Sequence, residues 1–171
     1  MKNIRLVIVD VDGVLTDGTL YIDSQGSETK AFNVLDGTGI KYLHRVGIKT
    51  AIISGRTSKS VTYRAKELDI CDVYQGQKNK LDAYGKLREK YSLRDEEICY
   101  IGDDLIDLPL FYRVGFPATV ADASPMVKRL SLYVTKERGG YGAVRELAEK
   151  IIKFQGKWHL IMERYQDASP L

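Results

Sequence analysis

Apolar positions along the chain fall into short continuous runs separated by stretches with a helical period. Residues 4–9 are almost unbroken apolar and rich in β-branched side chains, the pattern of a strand buried on both faces. Similar runs recur at residues 48–53, 70–74, 97–101, 115–120 and 132–134. Between them the spacing predicts helices over residues 39–46, 58–68, 78–91 and 105–113, a short one opened by Pro125, and one ending near Phe154. Strands alternating with helices predict a three-layer α/β domain built on a parallel sheet. One stretch departs from that rhythm. Residues 19–23 and 28–34 alternate on either side of Ser24-Gln25-Gly26-Ser27, which predicts a β-hairpin arm over about 19–34, lying across the carboxyl edge of the sheet. The domain is expected to span residues 1–156, followed by a tail over 157–171 that is helix-like but isolated to Tyr165 and frayed from Gln166.

Composition narrows the class. A chain of 171 residues is sized for one domain with a proper core. Its 26 basic and 23 acidic residues are dispersed and leave a formal charge of +3, with no Lys/Arg block of the kind that binds nucleic acid, so no nucleic-acid partner is expected. Met1-Lys2-Asn3 passes straight into a strand too short for a signal segment or a membrane span; no membrane association and a cytoplasmic location are expected. Cys71 and Cys99 sit beside apolar residues without CxxC spacing and are expected to be buried free thiols.

The chemistry begins where the first strand ends. Asp10 and Asp12 are two residues apart, a spacing that in a strand puts both on one side, and Gly13 lets the chain turn where a parallel sheet forms its ligand crevice. Like charges held this close are costly without a divalent cation or a proton on one of them. Ser54-Gly55-Arg56, Lys80 and Gly102-Asp103-Asp104-Leu105-Ile106-Asp107 also end strands or open helices, so a parallel sheet gathers them on the same edge. Together they suit a phosphate ester. Asp10 can attack phosphorus while Asp12 holds the proton needed by the leaving alcohol. Asp103 with Asp10 would hold Mg²⁺, and Lys80, the Ser54 hydroxyl and the Gly55 amide would meet phosphate oxygens. Taken singly, Lys80 reads as a solvated helix residue and Ser54 as a helix cap. His44 and His159 have no partner at ligand spacing, and Tyr63, Tyr84 and Tyr91 read as packing residues.

With Ser54 and Lys80, the segments Asp10-Val11-Asp12-Gly13-Val14-Leu15-Thr16-Asp17-Gly18 and Gly102 to Asp107 resemble the four signature motifs of the haloacid dehalogenase superfamily of phosphatases, in order. The likeness runs from Ile4 to about Ala148 and is greatest to the small, capless 3-deoxy-D-manno-octulosonate 8-phosphate phosphatase family. That resemblance implies a Rossmann-like sheet of the superfamily's type, Asp10 as the nucleophile forming an aspartyl-phosphate, and Asp12 as general acid and base with its backbone carbonyl also on Mg²⁺. It implies Asp103 as the other metal ligand, Asp107 orienting Lys80 or a metal-bound water, and a lesser place for Asp104. The substrate implied is a sugar-acid phosphate of lipopolysaccharide precursor synthesis, with Arg56 and Arg64 expected on its carboxylate. Related phosphatases of nine-carbon sugar acids tend to carry Glu at the Arg56 position, so Arg56 favours the octulosonate. With no room for a cap, a homotetramer is expected, in which the hairpin and a neighbour's residues 138–142 cover the site.

Two other functions compete: a phosphatase for a nine-carbon sugar-acid phosphate, and a non-catalytic receiver-like or partner-binding domain. A receiver has no acid two residues after its acceptor Asp, so Asp12 favours turnover.

Overall fold

A computed structural model describes residues 1–166. Six parallel strands form one sheet in the order β5-β4-β1-β6-β7-β8: β1 (Leu6–Val9), β4 (Lys49–Ile53), β5 (Asp72–Tyr74), β6 (Ile98–Gly102), β7 (Phe116–Thr119) and β8 (Tyr133–Val134). β1 is central, pairing Leu6 with Lys49 on one side and with Ile98 on the other. Its residues divide by parity. Val7 and Val9 face one apolar layer with α1 (Val34–Arg45), α2 (Lys59–Glu67) and α6 (Ala143–Phe154), while Leu6 and Ile8 face the other with α3 (Lys80–Lys90), α4 (Leu108–Phe111) and α5 (Pro125–Leu130). The chain fills the β4 and β5 side of β1 first and then crosses to β6, so the order reverses at β1, where open parallel sheets bind ligands.

The predicted sheet and its hairpin arm are present, with shifted boundaries. α1 begins five residues before its expected start, capped by Asn33, whose side chain accepts from the Leu35 amide at 2.8 Å. Gly37 and Gly39 disguise that helix as a loop. Gly39 is needed for close packing, since a Cβ there would lie 2.6 Å from Arg145 Cα on α6. The expected helix over 105–113 is a 3₁₀ turn, Leu105–Asp107, followed by the single turn of α4.

The arm is short: β2 (Tyr21–Ile22) and β3 (Glu28–Thr29) pair antiparallel, with Tyr21 opposite Thr29. Leu20, Tyr21 and Ile22 are exposed on it. The tail is not isolated. α7 (Trp158–Gln166) packs on the first apolar layer through Ile161, sets the Trp158 ring edge-on to Tyr42 at 6.0 Å, and brings Tyr165 OH within 3.2 Å of Tyr42 OH. Gln166 closes this helix rather than fraying, and the rest of the expected frayed end, residues 167–171, lies outside the described residues. Cys99 is buried but Cys71 is exposed, and Tyr63 is exposed where packing was expected, whereas Tyr84 is buried. His44 is structural, 2.6 Å from Thr50 Oγ1. Among the described residues no helix is long and apolar enough to cross a membrane.

Candidate active site

β1, β4 and β6 end beside one another, and the chain leaving them builds a crevice of about 300 Å³ lined by Asp10, Asp12, Ser54, Gly55, Arg56, Lys80, Asp103 and Asp104. Asp10 still belongs to the ladder, its amide donating to the Ile101 carbonyl at 3.0 Å, although β1 itself ends at Val9. Strand spacing therefore does not set both acids on one side, contrary to the expectation from the sequence. Asp12 stands in the turn beyond the strand, where the pleat no longer sets its direction, and it meets different partners from Asp10. Gly13 makes that turn possible with φ +81°, and a Cβ there would strike the Asp103 carboxylate at 2.1 Å.

On the floor, Lys80 opens α3 with its side chain almost wholly enclosed. Its ammonium lies 3.0 Å from Asp10 Oδ1 and donates to Asp107 Oδ1 at 2.6 Å and to Tyr100 OH at 3.0 Å. Tyr100 OH in turn donates to Asp107 Oδ1 at 2.5 Å, and Asp107 Oδ2 accepts from the amides of Asp103 and Asp104 at 2.9 and 3.2 Å. Burial lowers an ammonium's affinity for its proton, but Asp10 and Asp107 outweigh it and hold the Lys80 pKa above its usual value. Burial also drives Asp10 up to about 7, against the pull of Lys80 and with Asp107 adding to the rise. Asp103 goes up to about 8, through burial and then through Asp10 and Asp107. The site therefore holds more buried carboxylate than Lys80 neutralises.

Carboxylate oxygens of Asp10, Asp103 and Asp107 lie within 4.8 Å of one another, a hard-oxygen set that fits a divalent cation such as Mg²⁺. Because both Asp107 oxygens already accept hydrogen bonds, Asp10 and Asp103 are the freer ligands.

Ser54 is buried at the end of β4, its Oγ accepting from the Arg56 amide at 3.3 Å. It does not cap α2, which starts only at Lys59. Arg56 reaches across the mouth, paired with Glu28 on β3 and 3.9 Å from Asp12 Oδ2. Arg64 is not brought to this crevice. It lies on α2 with Nη1 on Glu67 at 2.7 Å and Nη2 on the Asn33 carbonyl at 3.3 Å, because two helical turns carry it back over the start of α1. The sequence reading also missed Lys30, Glu28 and Tyr100. Lys30 is enclosed and ion-paired to Asp12 and Glu28. For Lys30 and Glu28 the only signal in the sequence is their i, i+2 spacing at the end of the arm. A larger open groove, about 880 Å³, runs along α6, and two of its three acids are already engaged: Glu146 by Tyr133 OH, and Glu149 by Arg145 and Lys153.

Known proteins resemble this chain over most of its length. Residues 65–147 match the family model of haloacid dehalogenase-like hydrolases. The chain is 49% identical over 156 residues to the 3-deoxy-D-manno-octulosonate 8-phosphate phosphatase KdsC of Escherichia coli strain K12, covering 91% of this chain and 83% of that one. Its fold superposes with a TM-score of 0.91 on the crystal structure of the 3-deoxy-D-manno-octulosonate 8-phosphate phosphatase of Yersinia pestis, at 48% identity over 92% of this chain and 85% of that one. The Moraxella catarrhalis phosphatase of the same name, solved in complex with a magnesium ion, a phosphate ion and KDO, gives 0.93 at 43% identity, over 96% and 94% of the two chains.

Proposed function

Because the chain belongs to the 3-deoxy-D-manno-octulosonate 8-phosphate phosphatases, within the haloacid dehalogenase-like hydrolases, we propose that its crevice hydrolyses the 8-phosphate ester of that sugar acid to KDO and phosphate. The observation that carries the reading is the convergence of Asp10, Asp12, Ser54, Lys80 and Asp103 on one crevice at the edge of the sheet. Asp10 attacks phosphorus as the bond to the sugar oxygen breaks, and Asp12 gives that oxygen its proton. Water then attacks the aspartyl-phosphate, Asp12 takes the proton back, and Asp10 is restored. Lys80, the Ser54 hydroxyl and the Gly55 amide hold phosphoryl oxygens. Asp107 and Tyr100 keep the Lys80 ammonium beside Asp10. Mg²⁺, held by Asp10, Asp103 and the Asp12 carbonyl, would neutralise charge on the carboxylates and the phosphoryl group.

Arg56 is the residue for the substrate's carboxylate, since it stands exposed at the mouth beyond the phosphate-binding Ser54. The protein works as a cytoplasmic homotetramer in lipopolysaccharide precursor synthesis. Support for assembly comes from Leu20, Tyr21 and Ile22 on the arm and from Val34, Leu35 and Tyr141, which leave apolar surface uncovered in one protomer.

The test compares kcat/KM for octulosonate 8-phosphate, a nine-carbon ketoacid phosphate and a neutral sugar phosphate, in wild type and Arg56→Ala. Wild type is expected to prefer the octulosonate ester and Arg56→Ala to lose that preference. A preference for the neutral sugar phosphate, or one unchanged in Arg56→Ala, overturns the assignment.

A further inference from the structure

A second lysine is buried at the crevice, on its outer wall. Lys30 follows β3 at the base of the arm, and its side chain is 1% exposed. Burying an ammonium is costly unless charge and hydrogen bonds compensate. Lys30 has both: it donates to Asp12 Oδ1, and Glu28 Oε1 lies 3.1 Å away. That Glu28 oxygen is buried with no donor aligned to hydrogen-bond it, so the ion pair is its compensation. The other Glu28 oxygen holds Arg56, whose Nε stands 3.9 Å from Asp12 Oδ2. Asp12, Lys30, Glu28 and Arg56 thus form a ring of alternating charge joining the turn after β1, the arm and the loop after β4.

We infer that Lys30 is a positioning residue for the acid–base step: it anchors Asp12 by Oδ1 so that Oδ2 faces the leaving oxygen of the substrate. Among the described residues Lys30 is the only hydrogen-bond donor to the Asp12 carboxylate, and Oδ2 has no hydrogen-bond partner. A carboxyl group in a turn, without the pleat of a strand to orient it, needs such an anchor. A misplacement of about 1 Å in a reacting group can cost on the order of a hundredfold in rate. The arm is then part of the catalytic machinery as well as a cover for it. The inference rests on the acid role proposed for Asp12.

The experiment uses the dependence on leaving group. An alkyl phosphate such as octulosonate 8-phosphate needs a proton on its departing oxygen, whereas p-nitrophenyl phosphate expels an anion stable enough to leave without one. Release of the alcohol or phenol is followed in a single turnover with enzyme in excess, which isolates the first half-reaction. Lys30→Met is expected to slow alcohol release about 10- to 100-fold and nitrophenol release less than about threefold. Lys30→Met/Glu28→Gln, which removes the carboxylate charge left without its partner, should show the same contrast should the single variant melt early. Asp12→Asn is the reference and should show it more strongly. Equal losses on both esters, or no loss on either, for the Lys30 variants overturn the inference. If Asp12→Asn itself shows no contrast, the acid role fails and the role of Lys30 with it.

Discussion

Two lysines, each with a side chain 1% exposed and each set between two carboxylates, hold two sides of one crevice. Lys80 belongs to the packed core. It opens an eleven-residue helix capped by Asn79, and its carboxylate and phenol partners, Asp107 and Tyr100, are fully buried. Lys30 stands on an arm of two-residue strands, and its partners Asp12 and Glu28 are 23% and 18% exposed. The difference teaches where each kind of precision comes from. At Lys80 the sheet and α3 fix the ammonium, whereas at Lys30 a ring of charges holds an arm with little apolar packing of its own.

Substituting the two lysines separates the walls. Lys80→Met leaves Asp10 and Asp107 buried without their cation and is expected to cost about 3–5 kcal/mol of stability, with activity at background. Lys30→Met should cost less, about 1–2 kcal/mol, because Asp12 is partly exposed and Glu28 keeps Arg56 on its other oxygen. Chemical denaturation checks both, and equal losses would erase the distinction. Asp12→Asn is expected to fold normally and to lose about 10²- to 10⁴-fold in kcat on the sugar phosphate, since the amide carries no transferable proton.

A smaller effect belongs to the core wall alone. Asp10 and Asp103 are pushed up to about 7 and about 8 in the metal-free protein, from an ordinary 3.8. Between pH about 4 and about 8 the folded state then holds protons that the unfolded chain has released, so metal-free stability falls as pH rises through that window. Mg²⁺ takes the place of those protons. The Tm gain from Mg²⁺ should therefore be larger at about pH 8.5 than at about pH 5.5, and it should survive in Lys30→Met. A gain that is flat with pH, or lost in that variant, would contradict the separation.

The core wall was legible because its residues follow strands. Asp10, Ser54 and Asp103 each end or follow an apolar run, and a parallel sheet must bring such ends together. The arm wall was not. Its strands are too short for period alone to mark which residue turns inward, so Lys30 and Glu28 read as ordinary hairpin polarity. Arg64 failed for a related reason. Helical spacing placed it two turns from Arg56, but only the packing of α2 against α1 decides which way that face points. The tail reads as isolated in the sequence because the surface that receives Trp158 and Ile161 is assembled by α1 and the first apolar layer, far away along the chain.

Both walls serve one event, the attack of Asp10 on a phosphate ester. The most direct measurement is inorganic phosphate released from octulosonate 8-phosphate by wild type and Asp10→Asn, with Mg²⁺ and with EDTA, on samples matched by thermal melting. Release by wild type with Mg²⁺, abolished by EDTA and absent from folded Asp10→Asn, is the predicted result. Near-normal turnover by Asp10→Asn, or release by wild type that EDTA leaves untouched, would contradict it.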